Sequence, residues 1–151
     1  MKDVFSVKRS ADSDDVLKAV NGQFLNTIKV TDADVTLEDV DSGSVVFCSI
    51  SGSSDIAINL PAPALGLNFT IINALTPSGS GDAVITPVTA DTLVVMGAAD
   101  SGADGMTNLL ADSVTIEAAS IGGERIDCVA DETRWYIYAH MQAVGSITTT
   151  G

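Results

Sequence analysis

The sequence predicts an all-β domain, an antiparallel sandwich, jelly-roll-like or closed into a barrel, with an extended N-terminal arm. Two observations carry this. From residue 27 onward, short runs rich in valine, isoleucine, threonine and aromatics succeed one another: TIKV, VTLEDV, SVVFCSI, DIAINL, LNFTIIN, AVITPV, TLVVMG, SVTIEAA, RIDCVA and RWYIYAHM. Between them lie DSGS, SGSSD, PSGSGD, DSGADG and GGE, whose glycines and short polar side chains are turn chemistry. The spacing is close to the roughly eight to twelve residues of an antiparallel sandwich or barrel, too short for crossover helices. No longer period repeats as it would in a solenoid or propeller.

Residues 1–26 read as the arm. Lys2, Lys8 and Arg9 are three of the seven bases in the chain, and all fall in its first ten residues. Ser13 is placed to cap a short helix over 13–21, with Asp14 and Asp15 in its first turn and Gly22 as the stop. Two turns of helix are marginal alone, so the arm is expected to become ordered by lying on something.

Residues 27–143 read as one β domain, and 144–151 as a polar tail, extended or loose. Within the domain, Ile56, Ile58 and Leu60 alternate with Ala57 and Asn59, which gives one apolar face at a period of two. Pro61 stops that strand because it has no N–H for the ladder. Pro63 stiffens the connector and Gly66 lets it turn into Leu67, Phe69 and Ile71, a second alternating run. A connector of Pro, Ala and Leu is expected to pack against something, either a neighbouring protomer or the barrel end. PSGSGD reads as a flexible hairpin tip. The last hairpin alternates Ile126, Cys128 and Ala130, turns at Asp131 to Arg134, and returns through Trp135, Ile137 and Ala139. Tyr136, Tyr138 and His140 then share the other face, half wet or covered by a partner. Trp135 is expected in the core.

At 151 residues the chain is long enough for one substantial core. Twenty acids against seven bases give a net charge of −13, which repels phosphate and excludes a basic nucleic-acid groove or an anionic membrane surface. No apolar stretch approaches a membrane span. The N-terminus lacks the apolar core of a secretory signal, so the expectation is a chain made and used without export. In that compartment Cys48 and Cys128, both at alternating apolar positions, are buried thiols rather than a bridge.

Catalytic patterns are not visible. One histidine excludes histidine-rich metal clusters, and nothing has the close ligand pairs of a zinc site. DSGADGMTN, with Asp100, Asp104 and Gly105, lacks most acids of a calcium loop and reads as a turn. PSGSGD lacks the lysine of a phosphate loop. His140 reads as a surface or interface residue rather than a general base. No metal, cofactor or enzyme activity is expected.

The order of the pieces resembles the small head-decoration, or cement, proteins of tailed bacteriophages. Its carriers are Leu60-Pro61, the small-residue linker to Gly66, Phe69, the charged turn Asp131 to Arg134, and Trp135-Tyr136. The likeness spans roughly residues 34–140, leaving out the arm, and the Asp-rich insertion around 98–108 departs from it. It implies a virion protein made in the host cytoplasm and seated on the outer capsid surface. It further implies homo-oligomers, commonly trimers, that bind the major capsid protein and stabilise the shell without catalysis. On that reading the arm residues Lys2, Val4, Phe5, Val7, Lys8 and Arg9 dock on the capsid, the cations pairing with acidic coat residues. The oligomer interface draws on Pro61, Pro63, Leu65, Tyr136, Tyr138 and His140. The alternative is a fibre or receptor-binding β module that recognises cell-surface glycans on an aromatic platform of Tyr136, Tyr138 and His140.

Overall fold

The computed structural model describes residues 18–20, 23–25, 27–74, 79–90, 92–96, 109–142 and 145–150. The chain is all-β. Its strands are β1 (Lys18–Val20), β2 (Gln23–Leu25), β3 (Thr27–Thr31), β4 (Val35–Thr36), β5 (Ser44–Ser49), β6 (Ile56–Leu60) and β7 (Asn68–Asn73). They continue as β8 (Ala83–Pro87), β9 (Leu93–Met96), β10 (Leu109–Ala111), β11 (Ser113–Ile116), β12 (Arg125–Ala130), β13 (Trp135–His140) and β14 (Ile147–Thr150). One sheet runs β10-β9-β13-β12-β7-β5-β3, a second β14-β11-β8-β6-β4, and β1 pairs with β2 alone.

Period-two alternation explains the layers. Along β5, β6, β8 and β9 every second residue is buried, and the inward residues of both sheets join one apolar cluster. Phe69, Ile71, Ile126, Cys128, Trp135 and Ile137 come from the larger sheet, Ile56, Ile58, Leu60, Ile85, Val114 and Ile116 from the smaller. The final hairpin has the predicted register, with Ile126 opposite Ala139, Cys128 opposite Ile137 and Ala130 opposite Trp135.

Strand direction departs from the antiparallel expectation. From β3 to β8 the chain changes sheet at every step, so β3, β5 and β7 run parallel in one sheet and β4, β6 and β8 parallel in the other. A strand in the opposite layer serves as the crossover that a parallel pair requires, in place of a helix. β13 and β9 are also parallel, whereas the hairpins and β7·β12, β8·β11 and β11·β14 are antiparallel.

Two local expectations are corrected and a third is narrowed. The helix over 13–21 is not formed at Lys18–Val20, which is a strand opposite Gln23–Leu25; residues 13–17 lie outside the described residues. Of the two readings of the tail, extended or loose, the extended one holds: Ile147–Thr150 forms the edge strand β14, bonded to β11 along its length, because the β-branched run Ile-Thr-Thr-Thr suits a ladder. PSGSGD is not a free tip. Its described part packs on the Ser51–Asp55 turn, where Ser80 and Gly81 donate their N–H groups to the Gly52 carbonyl at 3.1 and 3.2 Å.

Candidate functional site

The connector is a loop that carries the chain from β6 in one sheet to β7 in the other. Pro61 is buried, and its carbonyl accepts the Trp135 indole N–H at 3.0 Å, tying the end of the smaller sheet to the larger. Trp135 is fully buried and lies 5.7 Å from Phe69, ring centre to ring centre. Gly66, at φ +89, takes the left-handed turn that admits glycine most readily, and its N–H reaches the Ala130 carbonyl. Pro61 therefore belongs to the core, while Leu65 is 75% exposed. Val40 and Val88 are exposed at the same end, and a cleft of about 460 Å³ lies between Thr36, Leu37, Glu38, Asp39, Val40, Pro61, Ala62 and Val88.

A second surface forms on the outer face of the larger sheet. Register places Leu110, Val94, Tyr136 and Val129 side by side across β10, β9, β13 and β12, with Met96 and Tyr138 in the next row. Leu110 is 50% exposed, Val129 44% and Tyr138 42%. Val94, Met96, Leu110, Arg134 and Tyr136 enclose a groove of about 350 Å³. On this face the sequence pointed only to the β13 residues Tyr136, Tyr138 and His140, because the parallel partner β9 and the edge strand β10 are joined to β13 only by long-range pairing.

The turn before β13 aims this surface. Asp131 Oδ1 accepts the N–H groups of Thr133 at 2.6 Å and Arg134 at 2.8 Å, and Oδ2 accepts the Tyr136 hydroxyl at 2.9 Å. The two N–H groups, with the phenol, hold its carboxyl down at about 2. The same bond to Asp131 raises the Tyr136 phenol.

His140 shares the face of the tyrosines but lies at the far end of β13, where its Nε2 is 3.3 Å from Asp127 Oδ2. Asp127 also accepts from Arg125 Nε at 2.9 Å and Thr70 Oγ1 at 2.7 Å. The carboxylate is thus engaged in a surface network. Among the described residues no group of three or more His, Cys, Asp or Glu is placed to hold a metal. Lys2, Val4, Phe5, Val7, Lys8, Arg9 and the Asp100–Asp104 loop lie outside the described residues.

At the end opposite the connector, a buried polar knot closes the sandwich. Asn73 Nδ2 donates to Ser120 Oγ at 2.8 Å and to Glu124 Oε2 at 3.1 Å, and all three residues are buried. Cys48 and Cys128 are free and buried. They do not meet: Cys48 lies opposite Asn73 and Cys128 opposite Phe69, four residues apart along β7, or roughly 13 Å. Burial, with a contribution from the Glu124 carboxylate, pushes the Cys48 thiol up to about 11, and burial raises Cys128 as well. Roughly one Cys48 in a thousand is then thiolate at pH 8. Ellman's reagent is expected to leave both thiols unlabelled for minutes in the folded chain and to label two equivalents on denaturation. Prompt labelling of the native protein would show that the cysteines are not core residues.

Comparison with protein-family models, with curated proteins and with solved structures yields no match to this chain.

Proposed function

We propose that this protein is a structural virion component, a capsid decoration protein that grips the outer surface of a coat-protein shell through the exposed face of its larger sheet. The observation that carries the reading is the row Leu110, Val94, Tyr136 and Val129, continued by Met96 and Tyr138. Apolar and aromatic side chains set side by side on a rigid sheet, with Arg134 beside them, are the composition of an interface core. The resemblance of the connector and the Trp135-Tyr136 strand to head-decoration proteins supports the choice of partner.

The mechanism needs no bond-making chemistry. A contact of about 800 Å² per partner is modest alone, but an oligomer that engages several coat subunits at once converts weak contacts into a long-lived one. Separating coat subunits then also requires breaking the decoration contacts, so the shell resists internal pressure. Leu65, exposed at the connector, and the half-buried Pro63 beside it remain available for contacts between copies.

The test is co-sedimentation with shells assembled from the cognate coat protein. The native chain is expected to pellet with shells at saturating occupancy. The Leu110→Asp/Tyr138→Asp double variant alters exposed residues only and is expected to bind at least tenfold more weakly, about 1.4 kcal/mol. A native chain that stays in the supernatant overturns the proposal, and glycan-array binding by that chain would support the receptor-binding alternative instead.

A further inference from the structure

The cleft beside the connector has an apolar floor and an acidic rim. Leu37 and Pro61 are buried beneath it, Val40 and Val88 stand exposed at its sides, and Glu38 and Asp39 line one edge. Asp41 follows in the same turn, where its carboxylate accepts the Glu38 N–H at 2.9 Å. A ligand for this cleft needs apolar side chains flanked by cations.

The chain itself contains such a segment. Residues 2–9 read KDVFSVKR, with Val4, Phe5 and Val7 between Lys2, Lys8 and Arg9, and one acid among three bases. The asymmetry is large. Residues 1–26 carry four acids and four bases, so the whole net charge of −13 resides in residues 27–151. Copies of such a body repel one another, and residues 2–9 hold the densest group of cations able to offset that repulsion.

The described body begins at the same end of the sandwich as the cleft. Thr27, where β3 begins, pairs with Val45 near the start of β5, directly after the turn that contains Val40. The end of β6 and Val88 meet there too, the Val88 N–H bonding to the Leu60 carbonyl at 3.1 Å. The stretch from Phe5 to Lys18 spans up to about 40 Å when extended, roughly twice the length of the six-residue strands of the body.

We infer that the cleft between the Glu38–Val40 turn, Pro61–Ala62 and Val88 is the seat of this chain's own N-terminal segment, residues 2–9. Phe5 enters the apolar floor and the flanking cations face the acidic rim. The segment acts as a clasp of the body, distinct from coat docking through the sheet face, and the inference does not depend on that docking.

Cysteine linkage in the full chain tests it. Val88 and Thr148 are both exposed, so neither replacement reaches the core, and the native thiols are buried. Under mild oxidation, the Phe5→Cys/Val88→Cys variant is expected to link at least tenfold faster than Phe5→Cys/Thr148→Cys. The product appears as a closed monomer or a covalent oligomer, and either form supports the seat. Raising salt from about 50 to 500 mM is expected to slow the first pair severalfold as the charges are screened. Equal rates for the two pairs, no linkage in either, or a rate indifferent to salt would overturn the inference.

Discussion

Replacing Trp135 with alanine is expected to destabilise the chain by about 3–5 kcal/mol, the range for truncating a buried aromatic. For a chain of this length that lowers the melting temperature by roughly 10–15 °C. Trp135 is fully buried, packs on Phe69, and donates to the carbonyl of Pro61 at 3.0 Å. The variant therefore loses packing and also leaves a buried carbonyl without its donor. Trp135→Phe separates the two contributions. It keeps a ring against Phe69 and forfeits the indole N–H, so its cost is expected to fall to about 1–3 kcal/mol. Thermal and urea unfolding by circular dichroism give both values. An alanine variant within about 1 kcal/mol of the native chain would remove Trp135 from its place as the bolt between the sheets.

The second large effect is expected at two glycines that the sequence marks only as turn residues. A methyl group added to Gly79 would lie 1.7 Å from the Gly52 carbonyl oxygen, and one added to Gly81 would lie 2.1 Å from that of Ser54. Both obstacles are backbone and cannot rotate away. Gly79→Ala or Gly81→Ala must push the two turns apart, at a cost of about 3 kcal/mol, the upper part of the range for overpacking. Gly52→Ala is the control. Its added methyl meets nothing nearer than Asp32 Oδ1 at 3.6 Å, an ordinary contact, so a change below about 1 kcal/mol is expected. Equal melting curves for Gly79→Ala and Gly52→Ala would contradict the close approach of these turns.

These two sites mark how far local reading reached. The inward residues of β6, β7, β12 and β13 were legible because burial there alternates with the same period as the side chains. Ile126, Cys128 and Ala130 face the core with Trp135, Ile137 and Ala139, as the alternation required. The core role of Trp135 was legible too, from its apolar position in that pattern. The packing of Gly79 and Gly81 was not, since a glycine that admits another backbone and a glycine that merely turns look alike in sequence. Nor was the end of the chain: SITTT is polar, yet Thr148 and Thr150 fit the open face of a ladder as well as they fit solvent.

Sequence alone determined the all-β class, the inward and outward sets of β6, β7, β12 and β13, and the close of the final hairpin. Those depend on neighbours within a few residues and on whether each side chain prefers water. Tertiary structure decided which strands meet and in which direction. Alternation between sheets makes β3, β5 and β7 parallel, and β13 finds β9 across some forty intervening residues. The candidate docking row exists only through that second pairing. A strand's hydrophobic pattern states which face is buried, but every backbone offers the same hydrogen-bonding edge, so the partner is chosen by the packing of the whole.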